Sequence, residues 1–427
     1  MKMVIDMYKT RLIEKNLDYY LNNFSAVLLE GAKGTGKTST CSLFAKTIFE
    51  LDDPTINEVV TNAPNIIIEA DKPVLLDEWQ YSTNLWNYIR HQVDKGLEKN
   101  SIILTGSSPR IDNKLHSGAL RIARLKMRTF TIEERELSND YIRIADLLDD
   151  KYKITGTTNM SIMDYLAEIY KSGFPSLRDE NEKNRKIMLT NYVDYLVEHD
   201  FKLYGFDIRT PNTLKLWLKI YACSIATITA QSTINNIFIN NNTITLSRET
   251  TNNYLNALNL LNIIEYVPQW TPLKNMFKNI GKTPKHFLID GALALNLLDL
   301  SKDKLLNFKN YEEITKYKPT YIGQLFENFI FESLVVYAEI NDAKLYHFRT
   351  SKGDHEIDFI IEKGNQLLLI EVKGKTLIGD ADVKHFNWFE SNVGDEYDIK
   401  KIIVYAGPMA YSRKDDVHVI PAALLGC

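Results

Sequence analysis

The sequence predicts an α/β protein that is divided into three units. Its 427 residues exceed the usual size of a single domain, so several hydrophobic cores can form. Helical stretches first alternate with short apolar runs, a mostly helical block follows, and a long helical run with two strand-like runs comes last. We therefore place an α/β unit at residues 1–140, a helical unit at 158–300 and an α+β unit at 316–427.

The composition argues against several classes of protein. With 44% hydrophobic and 25% charged residues and a formal net charge of −4, it is typical of a water-soluble globular protein without an overall bias toward nucleic acid. The three cysteines are far apart and form no Cys-x-x-Cys pair, which argues against a thiolate metal site and favours the reducing cytoplasm. No apolar run is long enough to span a bilayer, so no membrane partner is expected.

The first unit is predicted to consist of βα units on a parallel sheet. Its strands are assigned to four short apolar runs: Ala26–Leu29, Asn65–Ile68, Val74–Leu76 and Ile102–Leu104. From Ser138 to Thr158 the sequence turns polar and acidic, which is typical of a linker or an exposed edge. The first boundary between units is therefore placed in this segment.

A phosphate-binding loop is predicted directly after the first strand. The residues Gly31-Ala32-Lys33-Gly34-Thr35-Gly36-Lys37-Thr38 match G-x-x-x-x-G-K-[ST], and a helical stretch through Phe49 follows them. The backbone N–H groups of such a loop surround an anion, a lysine at the position of Lys37 holds the β- and γ-phosphates, and the hydroxyl of Thr38 binds Mg²⁺. Together with Ser39, these residues form the predicted ATP site.

Two adjacent carboxylates support this site. Asp77 and Glu78 end the apolar run that begins at Pro73. One acid near Mg²⁺ and one beside the attacking water are what ATP hydrolysis requires, so we assign the metal side to Asp77 and the water side to Glu78. A strand that simply ends in solvated acids is the alternative.

Two further features of the first unit remain open between a functional and a plain structural interpretation. Ser107 follows the predicted strand that ends at Thr105. It either senses the γ-phosphate or the attacking water, or it simply belongs to a polar turn. Six basic residues follow against the single acid Asp112: Arg110, Lys114, Arg121, Arg124, Lys126 and Arg128. They form a ridge that supplies an arginine finger or contacts DNA phosphates, or they form a solvated face.

The second unit has the order of elements of a winged helix-turn-helix. Helical stretches at Leu214–Ala226, Ser232–Ile237 and Ser247–Ile263 precede apolar runs at Ile264–Val267 and Phe287–Ile289. Arg248, Asn252 and Asn253 would then begin the recognition helix. The block from Pro211 to Asp290 holds seven Lys or Arg against three acids, which favours DNA as a partner, although such units also serve as spacers between proteins.

The third unit contains a predicted β-hairpin that brings two carboxylates together. Gly364-Asn365 is a two-residue turn signal, so Lys363 pairs with Gln366, and the same register places Asp358 opposite Glu371. Because side chains alternate along a strand, Glu371 and Lys373 share a face with Asp358.

This patch suits a metal site for phosphodiester hydrolysis. Paired carboxylates repel unless a cation lies between them, and oxygen ligands suit Mg²⁺ or Mn²⁺. Lys373 orients or deprotonates the water, and Glu327 on the preceding helix adds a third carboxylate. The alternative is a surface ion network in which Lys373 neutralises both acids.

The order of these motifs resembles a widespread prokaryotic family, the AAA-type ATPases fused to a C-terminal domain of unknown function with a restriction-endonuclease-like core. The resemblance covers nearly the whole chain. It rests on Gly31–Thr38, Leu75-Leu76-Asp77-Glu78, Leu104-Thr105-Gly106-Ser107, Ser117-Gly118-Ala119-Leu120-Arg121, Gly323-x-x-Phe326-Glu327, Glu356-Ile357-Asp358-Phe359 and Ile370-Glu371-Val372-Lys373. Leu120 departs from the Gly that commonly precedes the arginine, which weakens a finger role for Arg121.

The resemblance implies a P-loop ATPase with its site at Lys37, Thr38, Asp77 and Glu78. It also implies a PD-(D/E)xK nuclease pattern at Asp358, Glu371 and Lys373, with Glu327 as the helix acid. We expect an Mg²⁺-dependent ATPase coupled to a nuclease-like unit that acts on DNA. An ATP-driven regulator whose nuclease-like unit serves only for docking is the alternative, and a homo-oligomer or a protein partner remains open.

Overall fold

The structure is a computed structural model that describes residues 8–106, 119–203, 210–241, 246–272, 283–301, 319–393 and 396–427. Among these residues, no helix combines the length and the apolar character needed to cross a bilayer.

A five-stranded parallel sheet forms the first unit. Its strands are β1 (Ala26–Glu30), β2 (Thr47–Glu50), β3 (Val74–Asp77), β4 (Ile102–Gly106) and β5 (Ile122–Lys126), in the order β2-β3-β4-β1-β5. The helices are α1 (Glu14–Asn23), α2 (Lys37–Ser42), α3 (Pro54–Asn62), α4 (Asn65–Glu69) and α5 (Thr83–Asp94). Because β4 lies between β1 and β3, the carboxyl ends of these three strands meet at one edge of the sheet.

Two predictions for the first unit are wrong. The apolar run Asn65–Ile68 is the helix α4 and not a strand, because Pro64 already has helical backbone angles (φ −65°, ψ −14°) and a short apolar run does not distinguish the two structures. The helix after the phosphate-binding loop ends at Ser42, and residues near Phe49 form β2. The β-branched Thr47 and Ile48 favour the extended backbone there.

The polar segment between Ser138 and Thr158 is not simply exposed. It contains β6 (Ile142–Arg143) and α6 (Ile144–Leu148), and Ile144 and Leu147 are fully buried. Of the acidic residues that suggested a linker, Asp146 lies on α6 and is half-buried, whereas Asp149 and Asp150 follow the helix and are exposed.

The second unit is mostly helical, as predicted. It comprises α7 (Ile162–Lys171), α8 (Glu182–Tyr195), a π-helical turn (Leu196–Asp200), α9 (Phe201–Leu203), α10 (Pro211–Ala222), α11 (Gln231–Asn241), α12 (Arg248–Leu260), β7 (Ile264–Val267), β8 (Lys285–Leu288) and α13 (Gly291–Leu297). Ser247 caps α12 by accepting a hydrogen bond from the Thr250 N–H. Strands β7 and β8 pair antiparallel, with Val267 opposite Lys285.

A six-stranded mixed sheet forms the third unit. After α14 (Pro319–Ile340) come β9 (Lys344–Arg349), β10 (Glu356–Lys363), β11 (Gln366–Lys373), α15 (Lys384–Val393), β12 (Asp398–Tyr405), β13 (Tyr411–Ser412), β14 (Val417–Pro421) and β15 (Leu425–Gly426). The order in the sheet is β13-β14-β12-β11-β10-β9, and β15 pairs with β6 of the polar segment instead. The hairpin register is confirmed, since Lys363 pairs with Gln366 and Phe359 with Ile370.

One hydrophobic core joins the three units. It contains the fully buried Ile132, Trp217 and Phe326, which come from the first, second and third unit in that order. The units therefore pack against one another through apolar side chains.

Candidate functional sites

The phosphate-binding loop connects β1 to α2 with Lys37 at the start of the helix. Gly36 has a left-handed backbone (φ 96°), and a Cβ on Gly31 would lie 2.2 Å from the carbonyl oxygen of Met127. Both positions therefore require glycine. Burial lowers the pKa of Lys37, and its Nζ donates to the carbonyl oxygens of Gly31 (3.0 Å) and Ala32 (2.9 Å).

Thr38, the last residue of the motif, lies beside Asp77 at the end of β3. The Thr38 hydroxyl lies 2.9 Å and 3.0 Å from the two carboxylate oxygens of Asp77, to which it donates. Thr105, the penultimate residue of β4, donates its hydroxyl to the same carboxylate. A hydroxyl and a carboxylate are ligands that Mg²⁺ accepts beside phosphate oxygens and water, so these residues fit that ion.

Sequence reasoning placed the polar group of β4 at Ser107, which lies outside the described residues. It missed Thr105, although β4 lies between β1 and β3 and so brings its last side chains to Asp77.

Glu78 follows β3 in a left-handed backbone conformation (φ 52°, ψ 46°). Burial raises the pKa of its carboxyl, while Lys37 and a hydrogen bond from the amide of Gln80 act in the opposite direction. Gln80 itself is only 2% exposed, and its Oε1 has no hydrogen-bond partner among the described residues. A half-buried carboxylate with a raised pKa is suited to accept a proton.

A cavity of about 470 Å³ opens beside these groups. It is lined by Lys33, Gly34, Gly36, Lys37, Thr38 and Ser39 of the loop, by Asp52, Glu78 and Tyr81, and by Pro175 and Ser176 of the second unit. Its volume lies within the range typical of ligand pockets. The contribution of the second unit was missed by sequence reasoning, because no local pattern reports a contact between distant segments.

Contacts from outside the motif fix the shape of the loop. The guanidinium of Arg11 donates to the carbonyl oxygens of Thr35 and Arg128, each at 2.8 Å, and to the carboxylate of Glu134. Lys33 forms an ion pair with Asp200 of the second unit at 2.6 Å. Ala32 and Thr35 are buried and shape the loop without lining the cavity.

The four ridge residues that the structure describes do not form a continuous charged surface. Arg128 is 8% exposed and pairs with Glu265 and Glu339, so its interpretation as a DNA contact is wrong. Arg121 pairs with Asp94 at 2.7 Å on the surface and does not line the ATP cavity. Lys126 also pairs with Glu265, and Arg110 and Lys114 lie outside the described residues.

The hairpin of β10 and β11 brings the predicted nuclease-like residues together. Continuing the register beyond Phe359 and Ile370 places Asp358 opposite Glu371, and the Asp358 carboxylate accepts the N–H of Val372 at 2.9 Å. Lys373 forms an ion pair with Glu371. Burial, together with the charge of Asp358, raises the pKa of Glu371 to about 8.

Lys285 enters the same cluster from β8 of the second unit. Its side chain is 3% exposed, and its Nζ forms ion pairs with Glu327, with Asp358 at 3.3 Å and with Glu356 at 3.5 Å. Burial alone would lower the pKa of Lys285, but these three carboxylates outweigh burial and raise it. No spacing in the sequence connects Lys285 with the hairpin, so it was missed.

The acid cluster in this arrangement does not fit a divalent cation. The ammonium group of Lys285 lies between Glu327 and Asp358, two of the three predicted ligands. Within the described ranges, no group of three His, Cys, Asp or Glu side chains has the geometry to hold a metal ion.

Three family models match consecutive parts of the chain. An AAA domain matches residues 23–136, a domain of unknown function (DUF8612) matches 163–304, and a domain of unknown function (DUF4143) matches 322–425. With the parallel sheet and the loop described above, the first unit has a P-loop NTPase-like fold that matches an AAA domain. The other two matches identify neither a winged helix nor an endonuclease-like core.

Solved structures resemble the chain only distantly. The Walker-type ATPase PABY2304 of Pyrococcus abyssi is 14% identical, with 68% of this chain and 96% of that chain covered and a TM-score of 0.39. The Aeropyrum pernix ORC1 protein, solved in complex with DNA, is 14% identical, with 69% and 94% covered and a TM-score of 0.27. No curated protein matches the chain.

Proposed function

We propose that the chain is an Mg²⁺-dependent ATP hydrolase. The observation that carries this proposal is the convergence of Lys37, Thr38, Asp77 and Glu78 at one edge of the sheet. The chemistry that Mg²⁺ supplies with bound ATP is neutralisation of charge on the β- and γ-phosphates. Thr38 and Asp77 would hold it.

Different residues bind the phosphates, accept the proton of the attacking water and line the cavity. Lys37 exchanges its two backbone carbonyl partners for the phosphate oxygens, which an ammonium group binds more strongly. Glu78 accepts the proton of the attacking water, and Gln80 holds its carboxylate in position. Pro175 and Ser176 line the cavity from the second unit and lie beside the site of the triphosphate.

The test is ATP turnover by the purified chain with Mg²⁺. Lys37→Ala should reduce turnover at least about 100-fold, because it removes the charge that stabilises the transferred phosphoryl group. Lys186→Ala, at an exposed lysine paired with Asp299, is the matched control and should leave turnover unchanged. Undiminished hydrolysis by Lys37→Ala would contradict the proposal.

A second proposed function is metal-dependent phosphodiester hydrolysis of DNA by the third unit, which requires that Lys285 leave the acid cluster before a metal ion binds there. It is supported by the proximity of Asp358, Glu371 and Lys373 on the hairpin of β10 and β11. Arg248, Asn252 and Asn253 at the exposed start of α12 would face the DNA from a winged-helix-like unit.

Lys285 favours the competing function, an ATP-driven regulator whose third unit serves for docking. Cleavage of supercoiled, linear and branched DNA with Mg²⁺ or Mn²⁺, with and without ATP, separates the two. Cutting that Asp358→Ala and Lys373→Ala both lose would support the nuclease. Intact ATP hydrolysis without any cutting would support the regulator.

A further inference from the structure

Lys285 is a cation of the second unit that is buried among acids of the third. Two hydrogen bonds between Asn328 and Leu288 hold the strand of Lys285 against α14. The side-chain amide of Asn328 on α14 donates to the carbonyl oxygen of Leu288 and accepts the N–H of Leu288, both at 3.0 Å. Lys285 therefore reaches the cluster from a strand that is fixed against α14, and its position is part of the packing between the units.

The acids around Lys285 exceed the positive charges that pair with them. Four carboxylates lie in the cluster, those of Glu327, Glu356, Asp358 and Glu371, and they pair with Lys285, Lys373 and Arg349. With all groups ionised, four negative and three positive charges leave −1. Glu371 is 3% exposed, and one of its carboxylate oxygens has no hydrogen-bond partner among the described residues. A buried carboxylate oxygen without a partner is an unused acceptor, which a metal ion could take as a ligand once the charge of Lys285 is removed.

We propose that Lys285 is a built-in cation that keeps this acid cluster closed to divalent metal ions, and that its removal opens a metal site at Glu327, Asp358 and Glu371. The two occupants exclude each other. A metal ion binds carboxylate oxygens at about 2.0–2.6 Å and repels an ammonium group that lies against the same oxygens. The inference goes beyond both proposed functions, because it concerns only which cation the acid cluster holds and does not require that the third unit cuts DNA.

The test is Mn²⁺ binding to the full chain without nucleotide, measured by titration calorimetry. Lys285→Met keeps the length of the side chain and removes its charge, so it should bind one Mn²⁺ at least about tenfold more tightly than the wild type. Lys285→Arg keeps the charge and should behave like the wild type. Lys285→Met combined with Asp358→Asn should lose the gain, which assigns the ion to the cluster.

Loss of Lys285 leaves buried carboxylates without their partner, so Lys285→Met should lower the free energy of unfolding unless another charge is removed with it. Lys285→Met combined with Glu356→Gln removes one charge of each sign and is then the variant to titrate, and Mn²⁺ should raise its melting temperature. Equal Mn²⁺ affinity of the wild type and the methionine variants would overturn the inference, as would metal-dependent DNA cutting by the wild type that Asp358→Ala abolishes. Tight Mn²⁺ binding by Lys285→Met without any DNA cutting would support the inference and contradict the nuclease function.

Discussion

Two buried lysines, Lys37 in the ATP site and Lys285 in the acid cluster, have opposite electrostatic surroundings. Burial lowers the pKa of Lys37 although the charges of Glu78 and Asp77 act in the opposite direction, and its Nζ donates to two backbone carbonyl oxygens. The pKa of Lys285 is raised, since ion pairs with Glu327, Asp358 and Glu356 outweigh the effect of burial. One ammonium group is held by neutral dipoles, whereas the other is already neutralised by full charges.

This difference separates a site that is ready for its ligand from one that is closed. A triphosphate supplies the negative charge that Lys37 lacks, so it can bind without displacing an ion pair. A divalent cation at the acid cluster must first displace Lys285, and breaking a buried ion pair is costly. The structure thus supports ATP hydrolysis more directly than metal-dependent cutting.

The two sites are also connected through the second unit. Pro175 and Ser176 line the ATP cavity, and the preceding Ser172 and Gly173 donate hydrogen bonds to the carboxylate of Asp290. Asp290 lies two residues beyond β8, the strand that carries Lys285. A hydrogen-bonded segment of the second unit therefore connects the wall of the cavity with the residues that follow the strand of Lys285.

The largest expected effect comes from removing the proposed base of the ATP site. Glu78→Gln should bind ATP normally and hydrolyse it at least about 100-fold more slowly, because the amide cannot accept the proton of the attacking water. Binding is measured with a fluorescent ATP analogue and turnover by phosphate release. Glu58→Gln, at an exposed glutamate of α3, is the control. Normal turnover by Glu78→Gln would remove Glu78 from this role.

The contrast between the two sites also explains how much the sequence reveals. The loop of residues 31–38 and the pair Asp77 and Glu78 depend on local spacing, and so does the hairpin that aligns Asp358 with Glu371. Each was predictable because a turn or a strand end fixes the neighbours of a residue within a few positions.

The residues that the sequence did not predict make contacts with residues that are distant in the sequence. Lys285 reaches Asp358 over 73 positions, and Pro175 reaches the loop only because the second unit packs on the first. Arg128 was predicted to contact DNA because of its charge, but its side chain is buried and pairs with Glu265 and Glu339. Tertiary packing decides these contacts, and no periodicity in the sequence encodes them.

The next effect concerns the buried ion pair between Glu265 of the second unit and Arg128 of the first, which we call the junction of these units. Glu265 of β7 is buried against Arg128, and although burial raises its pKa, Arg128 and Lys126 outweigh burial and lower it to about 2. Its contribution to the free energy of unfolding is therefore complete above the ordinary pKa of 4.5 and is lost as the pH falls toward 2. Glu265→Gln should lower the free energy of unfolding at pH 7 by about 3 kcal/mol.

Urea denaturation at pH 7 and at pH 3 measures this loss, which should shrink at the lower pH. Glu136→Gln, which breaks the exposed pair with Lys9, is the control and should cost less than about 1 kcal/mol. Equal losses for the two variants at pH 7 would show that the junction stabilises the chain no more than the exposed pair does.

A smaller loss of ATP turnover is expected when Gln80 is replaced. Its dependence on pH shows whether Gln80 positions Glu78 or takes part in the reaction itself. Its hydrogen bond favours the ionised form of Glu78, so Gln80→Leu should raise the pKa of that carboxyl further. Because the base acts only when ionised, turnover should fall several-fold at acidic pH and recover as the pH rises. A pH profile of kcat measures the shift. A loss of the same size at every pH would contradict this role.

The smallest effect is expected at Arg121, and it tests whether the ATP site is complete within one chain. Its guanidinium pairs with Asp94 on the surface, and its side chain is 40% exposed. Arg121→Ala should therefore change ATP turnover by less than about twofold, as is usual for an exposed ion pair. An arginine finger supplied to a neighbouring copy would instead cost about a thousandfold when removed. Turnover measured across a range of protein concentrations distinguishes the two cases, since only a site shared between copies loses activity on dilution.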